Sequence, residues 1–194
     1  IDILGISMSS VIAVIASCGL AVGLALQGAL SNLAGGIMLL IFRPFKVGDF
    51  ITASDESGTV KEVTLFYTII TTVDNKQVTI PNGTMTGANI TNASAHDTRR
   101  VDLSFLVGTG SDIEQVREIM LNIARANEYV KETPDKPFAA PVEGVPGGLK
   151  YAVRVWTDTA HYWDVYNALM TGISTALKEA GVGGPLTHVQ MHES

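Results

Sequence analysis

Residues 11–26 read VIAVIASCGLAVGLAL and run on into QGALSNLAGGIMLLIFRPF at residues 27–45. Between Asp2 and Arg43 there is no Asp, Glu, Lys or Arg, and every other charge lies from Arg43 onward. An uncharged stretch of about 40 residues would make a helix of roughly 60 Å, twice the roughly 30 Å hydrocarbon layer of a bilayer. One straight spanning helix cannot use all of it, so the pattern predicts a membrane segment followed by a second helix that bends away. A signal peptide is a poor alternative, because the apolar region is too long and no basic flank precedes it.

The first half is apolar on all sides yet rich in Ala, Gly and Ser, the residues that let helix backbones approach closely in lipid. Gly19 and Gly23 form GxxxG, and Ala16 extends that face by a turn. Ser17, Ala21 and Ala25 make a second small row. Two such rows on opposite flanks suit a helix with a neighbour on each side, as a ring of identical helices requires. Between them lies a face of Ala13, Ser17, Leu20, Leu24 and Gln27 or Gly28 at i, i+3 and i+4 spacing. In a ring, Leu20 and Leu24 would form two stacked apolar collars that water leaves when the pore is narrow; by periodicity alone they could equally pack against lipid or another helix. Gly28 is a candidate bend, since glycine in a helix interior costs about 1 kcal/mol relative to alanine, and Gly35-Gly36 is a second. Leu30, Leu33, Ile37 and Leu40 or Ile41 then make an apolar stripe. Arg43, Pro44 and Lys46 stop the helix and place positive charge at its end, on the cytoplasmic side by the positive-inside rule.

The run GLAVGLALQGALSNLAGG followed by FRPFKVGDFI is similar, nearly residue for residue, to the third transmembrane helix and domain entry of the small-conductance mechanosensitive channels (MscS-like). The resemblance implies a homoheptameric, tension-gated channel of the bacterial inner membrane that releases ions and small solutes on hypo-osmotic shock. It implies Leu20 and Leu24 as the gate, Gly28 and Gly36 as kinks, Gln27 and Asn32 in the region that tunes inactivation, and Phe42 as a coupler to lipid-facing helices. Ala16 stands where the family pattern often has glycine, with Ser17 beside it; both remain small. The family places two further transmembrane helices before this one, and the chain begins after them. Through GDFI, GTV and IPNG the resemblance implies an Sm-like β domain, and a last strand that joins a small barrel. The competing function is a non-conducting, membrane-anchored ring that scaffolds or senses.

The expected organisation is therefore a membrane α-helical pore segment with a kinked amphipathic second half (1–45), an Sm-like β domain (46–95), an α+β, ferredoxin-like domain (96–181) and a C-terminal barrel strand (182–194). DFITA, GTVKEVT, FYTIITTV and KQVTIPN read as strands of a small barrel, all-β from Lys46 to about Asn92. Beyond Arg99, VDLSFLV and LKYAVRVWT read as strands of a mixed sheet. SDIEQVREIMLNIARA and AHYWDVYNALMTGISTALKEA read as helices, with Ser111 and Glu114 as a capping box and Gly181 as a stop. The four-proline run KETPDKPFAAPVEGVPGG reads as a loop with a short edge strand.

The formal net charge of −6 over 194 residues argues against nucleic-acid binding, which needs clustered Lys and Arg. Cys18 stands alone, so no intrachain disulfide or thiolate metal cluster can form. Gly108 and Gly110 lack the third glycine of a dinucleotide fingerprint and read as a tight turn. His188 and His192 on one strand would lie roughly 13 Å apart, too far to share a metal. His96 and His161 read as loop and helix-start residues without a carboxylate constellation. No catalytic arrangement and no cofactor site is read. The expected partners are copies of the same chain, membrane lipids and permeating ions.

Overall fold

The computed structural model describes residues 7–184, which fall into two units, residues up to Ala95 and residues from His96. In the first unit a 35-residue helix, α1 (Met8–Phe42), precedes β1 (Phe50–Ala53), β2 (Glu56–Val63), β3 (Tyr67–Thr71), β4 (Gln77–Pro81), α2 (Asn82–Gly87) and β5 (Ile90–Asn92). All ladders are antiparallel, in the order β4-β3-β2-β1-β5. Among the described residues no ladder joins β4 to β5, so the strands form an open sheet rather than the expected closed barrel. Alternation sends Ile51, Ala53, Val60, Ile70 and Ile80 inward, where they meet Leu39, Phe45 and Met85 in one core. The all-β expectation is corrected at α2: NGTMTG, read as the end of a strand and a loop, is a helix.

α1 is continuous. The expectation that Gly28 interrupts the helix is not met, and helical structure also runs through Gly35 and Gly36.

The second unit holds β6 (Thr98–Gly108), α3 (Ile113–Ala126), β7 (Phe138–Val145), β8 (Gly148–Asp158), a 3-10 turn Thr159–His161 and α4 (Tyr162–Glu179). Among the described residues the sheet runs β6-β8-β7 and its ladders are antiparallel. The helices cover one face: Val116, Met120 and Leu121 of α3 and Val165, Leu169 and Ile173 of α4 pack on Val101, Leu103, Val153 and Val155. A fourth strand beside β6, which a complete ferredoxin-like sheet would have, is not among the described residues. The expected barrel strand and both His188 and His192 lie outside the described residues.

Local chemistry explains the boundaries. Asp112, not Ser111, caps α3 by accepting from the Gln115 amide at 2.9 Å, so the helix starts one residue later than a Ser111–Glu114 box requires. Gly181 ends α4 at φ +71°, with the Gly181 amide on the Lys178 carbonyl and the Val182 amide on the Leu177 carbonyl, a Schellman motif. The proline-rich run supplies an eight-residue edge strand, longer than expected, whose register slips between Pro141 and Glu143. An edge bulge tolerates proline because no ladder bond is demanded there.

Candidate functional site

The N-terminus of α1 is capped by a neutral hydroxyl, whereas at its C-terminus the Arg43 Nε donates to the Leu40 carbonyl at 3.3 Å. Ser7 accepts from the Ser10 amide at 3.3 Å, and Arg43 ends the helix at φ 46° with its amide on the Leu39 carbonyl. Inside the helix the Ser17 hydroxyl donates to the Ala13 carbonyl at 2.7 Å, so it needs no outside partner in an apolar setting.

From residue 12 to residue 31 the helix is exposed on every side. Leu20 is 67% and Leu24 62% exposed, and Ala13, Ala16, Gly19, Ala21, Gly23 and Gln27 share the same bare stretch. A Cβ built on Gly19, Gly23 or Gly28 meets no atom within 4 Å. Each of these glycines weakens the helix by about 1 kcal/mol, and no contact among the described residues requires it. The surface they belong to is too large and apolar to face water, so what explains it lies outside the described residues.

The last third of α1 behaves differently because it has a seat. Asn32, Gly35, Gly36 and Leu39, at i, i+3, i+4 and i+7, form the face that meets α2 and the β2–β3 turn. The Asn32 Oδ1 accepts from the Gly83 amide at 2.9 Å. A Cβ on Gly35 would lie 2.6 Å from the Asn82 carbonyl oxygen, and one on Gly36 would lie 2.0 Å from the Leu65 carbonyl oxygen. From the other side, a Cβ on Gly83 would meet the Ser31 hydroxyl at 2.8 Å. Glycines on both surfaces therefore let two backbones touch.

Asn82 holds the seat together. It is fully buried, its Nδ2 donates to the Thr64 carbonyl at 2.9 Å, its Oδ1 accepts from the Thr68 hydroxyl at 2.8 Å, and its amide donates to the Phe66 carbonyl at 2.9 Å. Two side-chain bonds and one backbone bond of a single residue fix the β2–β3 turn against the start of α2, which rigidifies both. The seat contains no titratable side chain. Phe42, by contrast, is 74% exposed.

Two relations were not legible beforehand. Gly36 had been assigned a bend; its place in the structure is a close approach. Asn82 closes the expected KQVTIPN strand and, with Gly83, belongs to the IPNG run that carries the resemblance, but neither reading makes them a seat for α1. On a regular helix at 100° per residue, the Leu20–Leu24 face and the seat lie about 90° apart around the axis.

The segments of this architecture have known counterparts. Residues 28–95 match the family model described as mechanosensitive ion channel, beta-domain, and residues 101–183 match that of the mechanosensitive ion channel MscS, C-terminal. The closed-state crystal structure of Helicobacter pylori MscS superposes with a TM-score of 0.89 at 30% identity, covering 98% of this chain and 76% of that one. The chain belongs to the MscS family of mechanosensitive channels. Within that family, the small-conductance mechanosensitive channel of Edwardsiella ictaluri is 38% identical over 176 residues, 91% of this chain and 61% of the relative. This MscS-family chain thus spans about 61% of the length of that curated relative. Arabidopsis thaliana MSL1, at 20% identity and a TM-score of 0.81, shares the fold.

Proposed function

We propose that the chain supplies the pore-lining helix and the cytoplasmic domains of a channel opened by membrane tension. The observation that carries this reading is the bare two-thirds of α1: an uncharged helix with small residues on two flanks, leucines between them, and three glycines that no contact among the described residues explains. Copies of the chain would cover the flanks by forming a ring, a heptamer by family resemblance, with Ala13, Ala16, Ser17, Gly19, Ala21 and Gly23 at the helix contacts. Leu20 and Leu24 then face the axis as two apolar collars that exclude water while narrow. Tension favours the state that occupies more bilayer area, so stretching separates the collars and rewets the pore, releasing ions and small solutes on hypo-osmotic shock.

The seat gives this helix its second fixed end. Asn32, Gly35 and Gly36 clamp the last third of α1 to the β domain, which lies in the cytoplasm with the residues from about 43 onward; the membrane is the bacterial inner membrane. Gly28 stands between the clamped and the bare parts, where the helix is cheapest to bend. Bending there changes the roughly 90° between collar and seat. Release of the Asn32–Gly83 bond would uncouple the two parts, which is a physical basis for inactivation. Gln27 and Phe42 flank this region, with Phe42 offered to neighbouring lipid-facing helices.

The test is patch-clamp recording of the full-length protein in channel-free membranes while suction is stepped. Stepwise currents that grow with tension support the reading. Silence despite confirmed membrane insertion would leave a non-conducting scaffold or sensor ring.

A further inference from the structure

The uncovered face of the second sheet gathers charges and rings that are scattered in sequence. Strand register sets Arg100 opposite Trp156, and Arg154 between Asp102 on one side and Phe138 on the other. Alternation turns this set away from the helices, since their neighbours Val101, Leu103, Val153 and Val155 fill the core. Asp102 sits between the two arginines: Arg100 Nε donates to both its oxygens at 3.1 Å, and Arg154 Nε lies 3.3 Å from Oδ1. The Arg154 guanidinium also stands 5.6 Å from the centre of the Phe138 ring. Asp135 and Lys136, from the loop entering β7, complete a groove of about 470 Å³ that they line together with Arg100, Phe138, Arg154 and Trp156.

Three cations meet two carboxylates here, a positive surplus in a chain of net charge −6. Arg100 hydrogen-bonds Asp102 through its Nε and Arg154 pairs with it, which steadies both guanidinium groups and leaves their terminal amino groups as donors. Lys136 makes no ion pair or hydrogen bond among the described residues. A merely solvated charged face has no use for an indole and a phenyl ring set among the cations. Phosphate oxygens suit guanidinium and ammonium donors, and a planar ring suits the aromatic wall.

We propose that this groove binds a phosphate monoester carrying a planar ring, the chemistry of a nucleotide. Lys136, Arg100 and Arg154 take the phosphate, and Trp156 with Phe138 takes the ring. The site owes nothing to the membrane helix, so it stands whether or not the chain conducts.

Trp156 is its own reporter, because the chain has two tryptophans and Trp163→Phe removes the other, which is exposed. The full-length protein in detergent is titrated with AMP, ribose 5-phosphate and adenosine, with circular dichroism confirming the fold of each variant. AMP should change Trp156 emission saturably. Ribose 5-phosphate and adenosine, each presenting half the ligand, should bind at least about tenfold more weakly, and Lys136→Gln should weaken AMP by at least about tenfold. The proposal is overturned if AMP gives no saturable change, if ribose 5-phosphate binds as tightly as AMP, or if Lys136→Gln binds AMP like the parent.

Discussion

Replacing Gly36 by alanine should loosen the seat of α1, and the size of the effect follows from the contacts. The added Cβ would stand 2.0 Å from the Leu65 carbonyl oxygen and 2.7 Å from Asn82 Nδ2. Neither can step aside, one being backbone and the other a buried amide held by two hydrogen bonds. Relief requires the helix to retreat by more than an ångström, which stretches the 2.9 Å bond between Asn32 and the Gly83 amide. Overpacking of this kind costs about 1–3 kcal/mol, and a lost hydrogen bond about 1 kcal/mol. Better helix propensity returns about 1 kcal/mol. The net loosening is about 1–3 kcal/mol. Amide hydrogen exchange at Gly83, whose proton is held by Asn32, should therefore quicken roughly tenfold to hundredfold. Gly28→Ala is the control: its Cβ enters open space, so Gly83 exchange should not change while α1 gains about 1 kcal/mol. Parental protection of Gly83 in Gly36→Ala would refute the close-contact account.

Two further predictions concern the domains. Asn82→Ala strands the buried Thr68 hydroxyl and takes the donor from the partly buried Thr64 carbonyl and should destabilise the first unit by about 2–4 kcal/mol, read from the urea midpoint. In the second unit, burial first and then the Asp112 charge raise the pKa of the Tyr151 phenol. A raised folded pKa means that this contribution to stability is intact below the ordinary tyrosine range and is lost as pH rises through the folded value. In a tyrosinate absorbance titration, Tyr151 should ionise above its ordinary range, and Tyr151→Phe should reduce the loss of stability at alkaline pH.

What could be read from sequence was periodic and local. The strands β1 to β4 announced themselves through β-branched runs between turn residues, and α3 and α4 through apolar spacing. Gly181 was legible as a helix stop because a left-handed turn needs nothing beyond its neighbours. α2 was missed because NGTMTG has little helix propensity of its own; packing against α1 favours it. The close approach at Gly36 is illegible for a related reason. A glycine that bends a helix and a glycine that admits a carbonyl look alike until the residue bringing that carbonyl, here Leu65, is placed beside it. The Ser111 cap failed by one position because Asp112 competes for the same role. The groove around Arg154 escaped notice because its members come from three strands and a loop, and only register brings them together.

The central claim is that Leu20 and Leu24 close a pore, and it is tested most directly by Leu24→Ser in the full-length protein, recorded in patches without and with suction. A hydrated collar cannot dewet, so the variant should conduct at rest and open at lower tension than the parent. A resting conductance and threshold identical to the parent, in a protein that still inserts and assembles, would contradict the assignment of α1 as the gate.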